Sequence, residues 1–151
     1  MAVCNFGLLF RFTTVSGCGV TEIHLYRSVK QTLLSPLYPH DYPSNIACTW
    51  QVRTANGPSG RPSILVVAIV DFLTEDGTDL VTLKGPGLVL GDTPSGLTAD
   101  QLTLSGTTSV TTVTSLDGQL IITFSSDLFY GGRFQMDFMA VSGESSLSFS
   151  Y

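Results

Sequence analysis

The chain has 151 residues, enough for one domain of ordinary size and too few for two comfortable ones. Hydrophobic residues make up 43% of it and charged residues 13%, about half the usual charged share, which excludes a disordered chain and a long solvent-facing helical bundle. The net charge is -5, and the seven basic residues (Arg11, Arg27, Lys30, Arg53, Arg61, Lys84 and Arg133) are scattered singly, so nucleic acid is excluded as a partner.

The first segment, residues 1–17, supports two readings that the sequence leaves open. Phe6, Leu8, Phe10 and Phe12 alternate as they would in a first strand. Val15 and Gly17 also offer the residues that signal-peptide cleavage needs at alternate positions, although a basic leader is missing and Arg11 interrupts the apolar stretch. The cysteines Cys4, Cys18 and Cys48 bear on the same choice. Cleavage after Gly17 removes Cys4 and leaves an even pair; without cleavage Cys4 is a spare thiol. No CxxC spacing exists, and His24 and His40 lie far apart, which argues against a thiolate–imidazole metal cluster.

From there the chain reads as strands punctuated by turns. Runs rich in β-branched and aromatic residues predict strands at 23–29, 48–53, 64–72, 79–83, 101–104, 110–114, 119–124 and 133–141. Between them stand residues 36–45, Asn56-Gly57-Pro58, Glu75-Asp76-Gly77, Gly85-Pro86-Gly87 and Asp117-Gly118, which supply the fixed or positive φ that turns require. In the last run Phe134, Met136, Phe138 and Ala140 alternate with Arg133, Gln135 and Asp137, so one face packs inward and the other meets solvent. Residues 64–70 have no such alternation, which predicts a central strand covered on both faces. They are also the longest apolar run, far short of a membrane span. No segment holds a helical period for three turns. The expected class is all-β, an antiparallel β-sandwich, with residues 142–151 as a loose terminus or an added edge strand.

Three segments stand out: Cys18-Gly19, residues 33–50 (LLSPLYPHDYPSNIACTW), and residues 124–138 (FSSDLFYGGRFQMDF), with the acidic stretch 72–83 before the last of them. Together they resemble the CUB domain family. The first matches its opening, the second follows its SP-x-YP-x-x-YP-x-N-x-x-C-x-W signature, and the third looks like its F-x-SD block before the final strand, while residues 72–83 occupy the place of its acidic segment. Independent physics supports the second segment. Pro36, Pro39 and Pro43 hold an extended connection outside any ladder, and Cys48 and Trp50, two apart on a strand, share its inward face.

The resemblance implies a jelly-roll-like sandwich over residues 18–141, outside the cell, that binds proteins and catalyses nothing. It implies a Cys18–Cys48 disulfide, which closes a loop of about 30 residues worth roughly 3–4 kcal/mol. It further implies calcium (Ca2+) held by Glu75, Asp79 and Asp127, with a lysine or arginine of a protein partner received by the same carboxylates. Three carboxylates meeting without a cation repel, and calcium wants six to eight oxygens. Phe129 and Tyr130, beside Asp127, are candidate partner contacts, as are Tyr38 and Tyr42.

Several residues depart from the family pattern. A frequent second disulfide has no cysteines here, since those regions read EDGTD and LGDTPSG. Lys30 stands where calcium-binding members usually have tyrosine, and Tyr130 where many have Asn or Asp. These favour the alternative that the carboxylates are ordinary turn residues, or that the Lys30 ammonium stands in for the cation. Other readings of the whole are a structural or oligomerisation domain, a non-catalytic module of a larger extracellular protease, and a lectin-like sandwich. Gly85-Pro86-Gly87 with Gly91 lacks the following helix of a phosphate loop. His24 and His40 lack a G-x-S-x-G elbow, and His40 is expected in solvent.

Overall fold

The computed structural model describes residues 13–15, 18–57, 60–91, 98–129 and 131–142. It contains ten strands and, among the described residues, no helix: β1 (Thr13–Val15), β2 (Val20–Leu25), β3 (Lys30–Leu34), β4 (Ala47–Thr54), β5 (Ile64–Leu73), β6 (Leu80–Leu90), β7 (Thr98–Leu104), β8 (Thr112–Ser115), β9 (Gln119–Ser125) and β10 (Arg133–Val141). One layer runs β1-β3-β10-β5-β8 and the other β7-β6-β9-β4-β2. Apart from β1, most of residues 1–17, including Cys4 and the alternating phenylalanines, lies outside the described residues, as does nearly all of 142–151.

Alternation builds each layer. On β10, Phe134, Met136, Phe138 and Ala140 are buried as expected, and on β9 so are Leu120, Ile122 and Phe124. β4 contributes Cys48, Trp50 and Val52 from the opposite wall. Each large apolar side chain removed from water in this way contributes about 1.5–3 kcal/mol. An aromatic chain links the layers: Trp50 meets Phe134 edge-on at 6.2 Å, Phe134 meets Phe124 at 5.0 Å, and Phe124 meets Tyr42 at 4.7 Å.

Four features differ from the sequence reading. The pairs β1/β3 and β2/β4 are parallel, one at each edge of an otherwise antiparallel sandwich. Gly85-Pro86-Gly87 ends no strand. There β6 changes layer, pairing with β9 through Leu80–Lys84 and with β8 at Val89 and Leu90. β5 is central, but only Leu65 and Val67 are fully enclosed; Ile64, Val66 and Ala68 are half-buried, and Val70, at a bulge opposite β10, is exposed. Finally, β3 is a strand that the sequence reading leaves out, since the run predicted at 23–29 ends before Lys30.

Candidate metal site at one pole of the sandwich

One end of the molecule is defined by the cross-strand row Ala47, Ser125 and Leu80. The loop entering β6 carries Glu75 and Asp79, and the loop leaving β9 carries Asp127. One carboxylate oxygen from each of the three lies within 4.8 Å of the others. The structure therefore brings together three acids from two loops that are far apart in sequence.

Asp79 is the organising member. It is completely buried. Its Oδ1 accepts the Asp127 backbone N–H at 2.9 Å, and its Oδ2 accepts the Tyr42 hydroxyl at 2.5 Å. Its own N–H donates to the Glu75 carbonyl at 3.1 Å, and its carbonyl accepts from Thr74 Oγ1. Thr74 is tied in turn to Gly106 by two hydrogen bonds, so the loop is clamped from the β7–β8 side. A carboxylate offers about four acceptor positions, so the Asp79 oxygens retain one each after these two bonds.

The Asp127 loop is fixed just as firmly. Ser126 exchanges backbone and hydroxyl hydrogen bonds with Ile46 and Pro43, Asn45 N–H donates to the Asp127 carbonyl, and Asp127 Oδ1 caps its own turn by accepting from Phe129 N–H. Gly132 lies against the Leu73 carbonyl and Gly131 against Asp41 so closely that neither position has room for a Cβ. On the other loop Gly77 adopts φ 80°, a left-handed turn that glycine enters without steric cost.

Glu75 has the least comfortable environment. Its Oε2 is buried and, among the described residues, has no hydrogen-bond partner. Burial first, and then the charge of Asp127, push its carboxyl above the ordinary range. Burial and the bond to Asp79 also raise the Tyr42 phenol, which therefore stays a donor at any physiological pH.

Several candidates are placed differently from expectation. Tyr42 is buried, with its hydroxyl spent on Asp79, and Tyr38 is half-buried with its hydroxyl on Asp71, so neither offers an exposed ring. Lys30 does not face the acidic loops. It lies at the far end of β3 and pairs with Asp137 at 2.9 Å, so its ammonium does not stand in for a cation at the acidic loops. Asp137 is held below its usual range: burial raises it, and the bonds from Lys30, Thr32 and Gln135 outweigh that effect. Phe129 is exposed at the pole, and His40 is exposed as expected. Tyr130 lies outside the described residues. Sequence reasoning misses Leu128, 68% exposed beside Phe129, and Leu37, exposed in the left-handed region at φ 64°. Their exposure has no one-letter signal, since leucine ordinarily marks the interior. Cys18 and Cys48 form the disulfide, tying the start of β2 to the buried face of β4.

The described residues thus form a two-layer β domain closed by one disulfide, with three acids gathered at one pole. The chain belongs to the CUB domain family, whose model matches residues 18–138. CUB domains are non-catalytic modules that mediate protein–protein interaction in extracellular proteins. The fold is similar to part of the full extracellular region of zebrafish Gpr126/Adgrg6, with a TM-score of 0.62 and 22% identity, covering 80% of this chain and 15% of that one. It is similar to the MASP-1 CUB2 domain bound to Ca2+, with a TM-score of 0.56 and 19% identity, covering 78% and 97% of the two chains. Against the CUB1-EGF-CUB2 domains of rat MASP-1 the TM-score is 0.59 at 17% identity, covering 91% and 47%. The chain thus spans a small part of the first of these proteins and about half of the last. No helix of the described residues is long and apolar enough to cross a membrane.

Proposed function

We propose that this chain is a secreted protein-binding module, its domain running over residues 18–141, in which Glu75, Asp79 and Asp127 hold calcium and then receive a lysine or arginine of a protein partner. The observation that carries this reading is the orphaned Glu75 Oε2 within a cluster of three carboxylates. A buried acceptor with no donor, beside two further acids, costs free energy that a cation recovers. One oxygen from each acid lies within 4.8 Å of the others, close enough to share one cation, and calcium accepts the variable number and angle of carboxylate oxygens that two loops supply. Calcium would supply positive charge that holds the two loops together. Phe129, with Leu128, offers an apolar rim on which the aliphatic stem of the partner's basic residue can rest, and Tyr130 follows directly in sequence.

Melting curves in calcium and in chelator test the ion. At about 100-fold excess over its dissociation constant, calcium should stabilise the protein by about 2.7 kcal/mol. Asp127→Asn keeps an oxygen for the Phe129 N–H and removes the charge, so it should abolish the difference. Identical curves for the wild type would reject the metal. Binding of a lysine-rich peptide against its acetylated form, with and without calcium, then tests the basic side chain.

A further inference from the structure

The strand β2 closes one edge of its layer, bonded to β4 on one side only. In this parallel pair Thr49 N–H donates to the Gly19 carbonyl and Ala55 N–H to the Leu25 carbonyl, so residues 19, 21, 23 and 25 turn their backbone groups toward β4. Val20, Glu22 and His24 therefore turn theirs outward, along the free edge. Gln31 Nε2 caps the His24 carbonyl at 3.1 Å; no other contact to these outward groups appears among the described residues. Edge strands are commonly protected by charges of one sign that repel a second strand. This edge carries an acid and an imidazole, Glu22 and His24, both about 60% exposed and 3.5 Å apart, between two exposed apolar side chains, Val20 (74%) and Tyr26 (65%).

We propose that β2 pairs antiparallel with β2 of a second copy of this chain, about a two-fold axis at Ile23. The order Val20, Glu22, His24, Tyr26 is self-complementary in that register alone. Outward-facing residues meet outward-facing residues, Glu22 lies opposite His24 of the second copy twice over, and each Val20 covers the other copy's Tyr26. Sliding the pair by two residues in one direction sets Glu22 against Glu22, and in the other His24 against His24. Two carboxylates directly opposite repel, and neither shifted register keeps the two acid–imidazole pairs, so complementarity fixes the register. The isologous contact is closed and cannot propagate into a fibre. Gln31 must release the His24 carbonyl, which keeps the association reversible.

The arrangement has a geometric consequence for the module. β2 runs away from the acidic pole, since Val20 lies beside Thr49, two residues from the Ala47 row, and Leu25 beside Thr54. An antiparallel pair thus points the two acidic poles in opposite directions, about 30 Å apart along the strands at 3.3 Å per residue. Such a dimer bridges two partners and does not grip one surface twice.

Sedimentation of the chain in chelator, from about 10 µM to about 1 mM, tests this independently of the metal reading. The mass should rise from 16.1 kDa toward twice that value. His24→Glu sets acid against acid and Glu22→Lys removes both acid–imidazole pairs, so each variant alone should associate more weakly than the wild type. Mixed in equal amounts, they place the carboxylate introduced at position 24 of one copy against the ammonium introduced at position 22 of the other. The mixture should associate at least about tenfold more tightly than either variant alone. A wild type that stays monomeric throughout, variants that dimerise as the wild type does, or a mixture no tighter than its components would each overturn the proposal. Both positions are exposed, and matching melting curves exclude misfolding as the cause of a lost dimer.

Discussion

Tyr42 illustrates how much of the acidic pole is built by a residue outside its three carboxylates. Its sequence context, between prolines and beside an acid, suggests a ring displayed to a partner. The chain instead buries it at 3% exposure, edge-on to Phe124, and spends its hydroxyl on Asp79. The phenol is thus a positioning group that joins the aromatic core to the acidic pole. Tyr42→Phe should leave the fold intact and strand Asp79 Oδ2 without a donor, costing about 1–3 kcal/mol in urea unfolding. Removing an outer partner of a metal-holding carboxylate commonly weakens affinity 10–100-fold, and calcium titration of the same variant should fall in that range. A variant as stable as the wild type with unchanged calcium affinity would remove Tyr42 from the site. The acids themselves are legible only through the family resemblance, because Glu75-Asp76-Gly77 read alone is an ordinary turn. Nothing in one-letter code brings Asp127 to it.

Among the elements, the clearest patterns are the ones whose alternation is uninterrupted. β10 is legible to the residue, since four inward apolar positions alternate with polar ones. β3 escapes the sequence because the bend before it uses Tyr26-Arg27-Ser28-Val29, with no glycine, proline or asparagine, and Ser28 takes the left-handed conformation that glycine would have announced. β6 reads as too short for the opposite reason, since Gly85-Pro86-Gly87 carries turn chemistry and the chain uses it to bend a strand from one layer to the other. The loop from β9 to β10 has its own requirement. A Cβ at Gly132 would fall inside contact distance of the Leu73 carbonyl, which is backbone and cannot turn aside. Gly132→Ala should therefore displace the loop that carries Asp127, destabilising the domain by about 1–3 kcal/mol and weakening the proposed calcium binding together. If calorimetry shows both unchanged, the loop tolerates the shift and the close approach has no bearing on the site.

At the scale of the whole molecule, two features lie beyond any local pattern. The parallel pairing of β1 with β3 and of β2 with β4 depends on which strands meet across the fold, and strand periodicity is the same in either direction. The disulfide is implied only by the family pattern, although Cys48 alone sits on a recognisable inward face. Its loop spans 30 residues and encloses β2, β3 and the proline-rich connection to the acidic pole. Replacing both Cys18 and Cys48 by alanine should cost roughly 3–4 kcal/mol of stability, read as a lower urea midpoint with a steeper slope, because the unfolded chain loses its crosslink and exposes more surface. A midpoint matching the wild type would show that the core alone holds this part of the chain.

β6 begins at the residue after Asp79 and is hydrogen-bonded into both layers. Whatever pulls on the acidic end therefore pulls on one continuous segment stitched to each wall of the sandwich. The walls cannot slide past each other under that load without breaking ladder bonds within a single strand. Tension applied at that end is therefore shared across the body of the module.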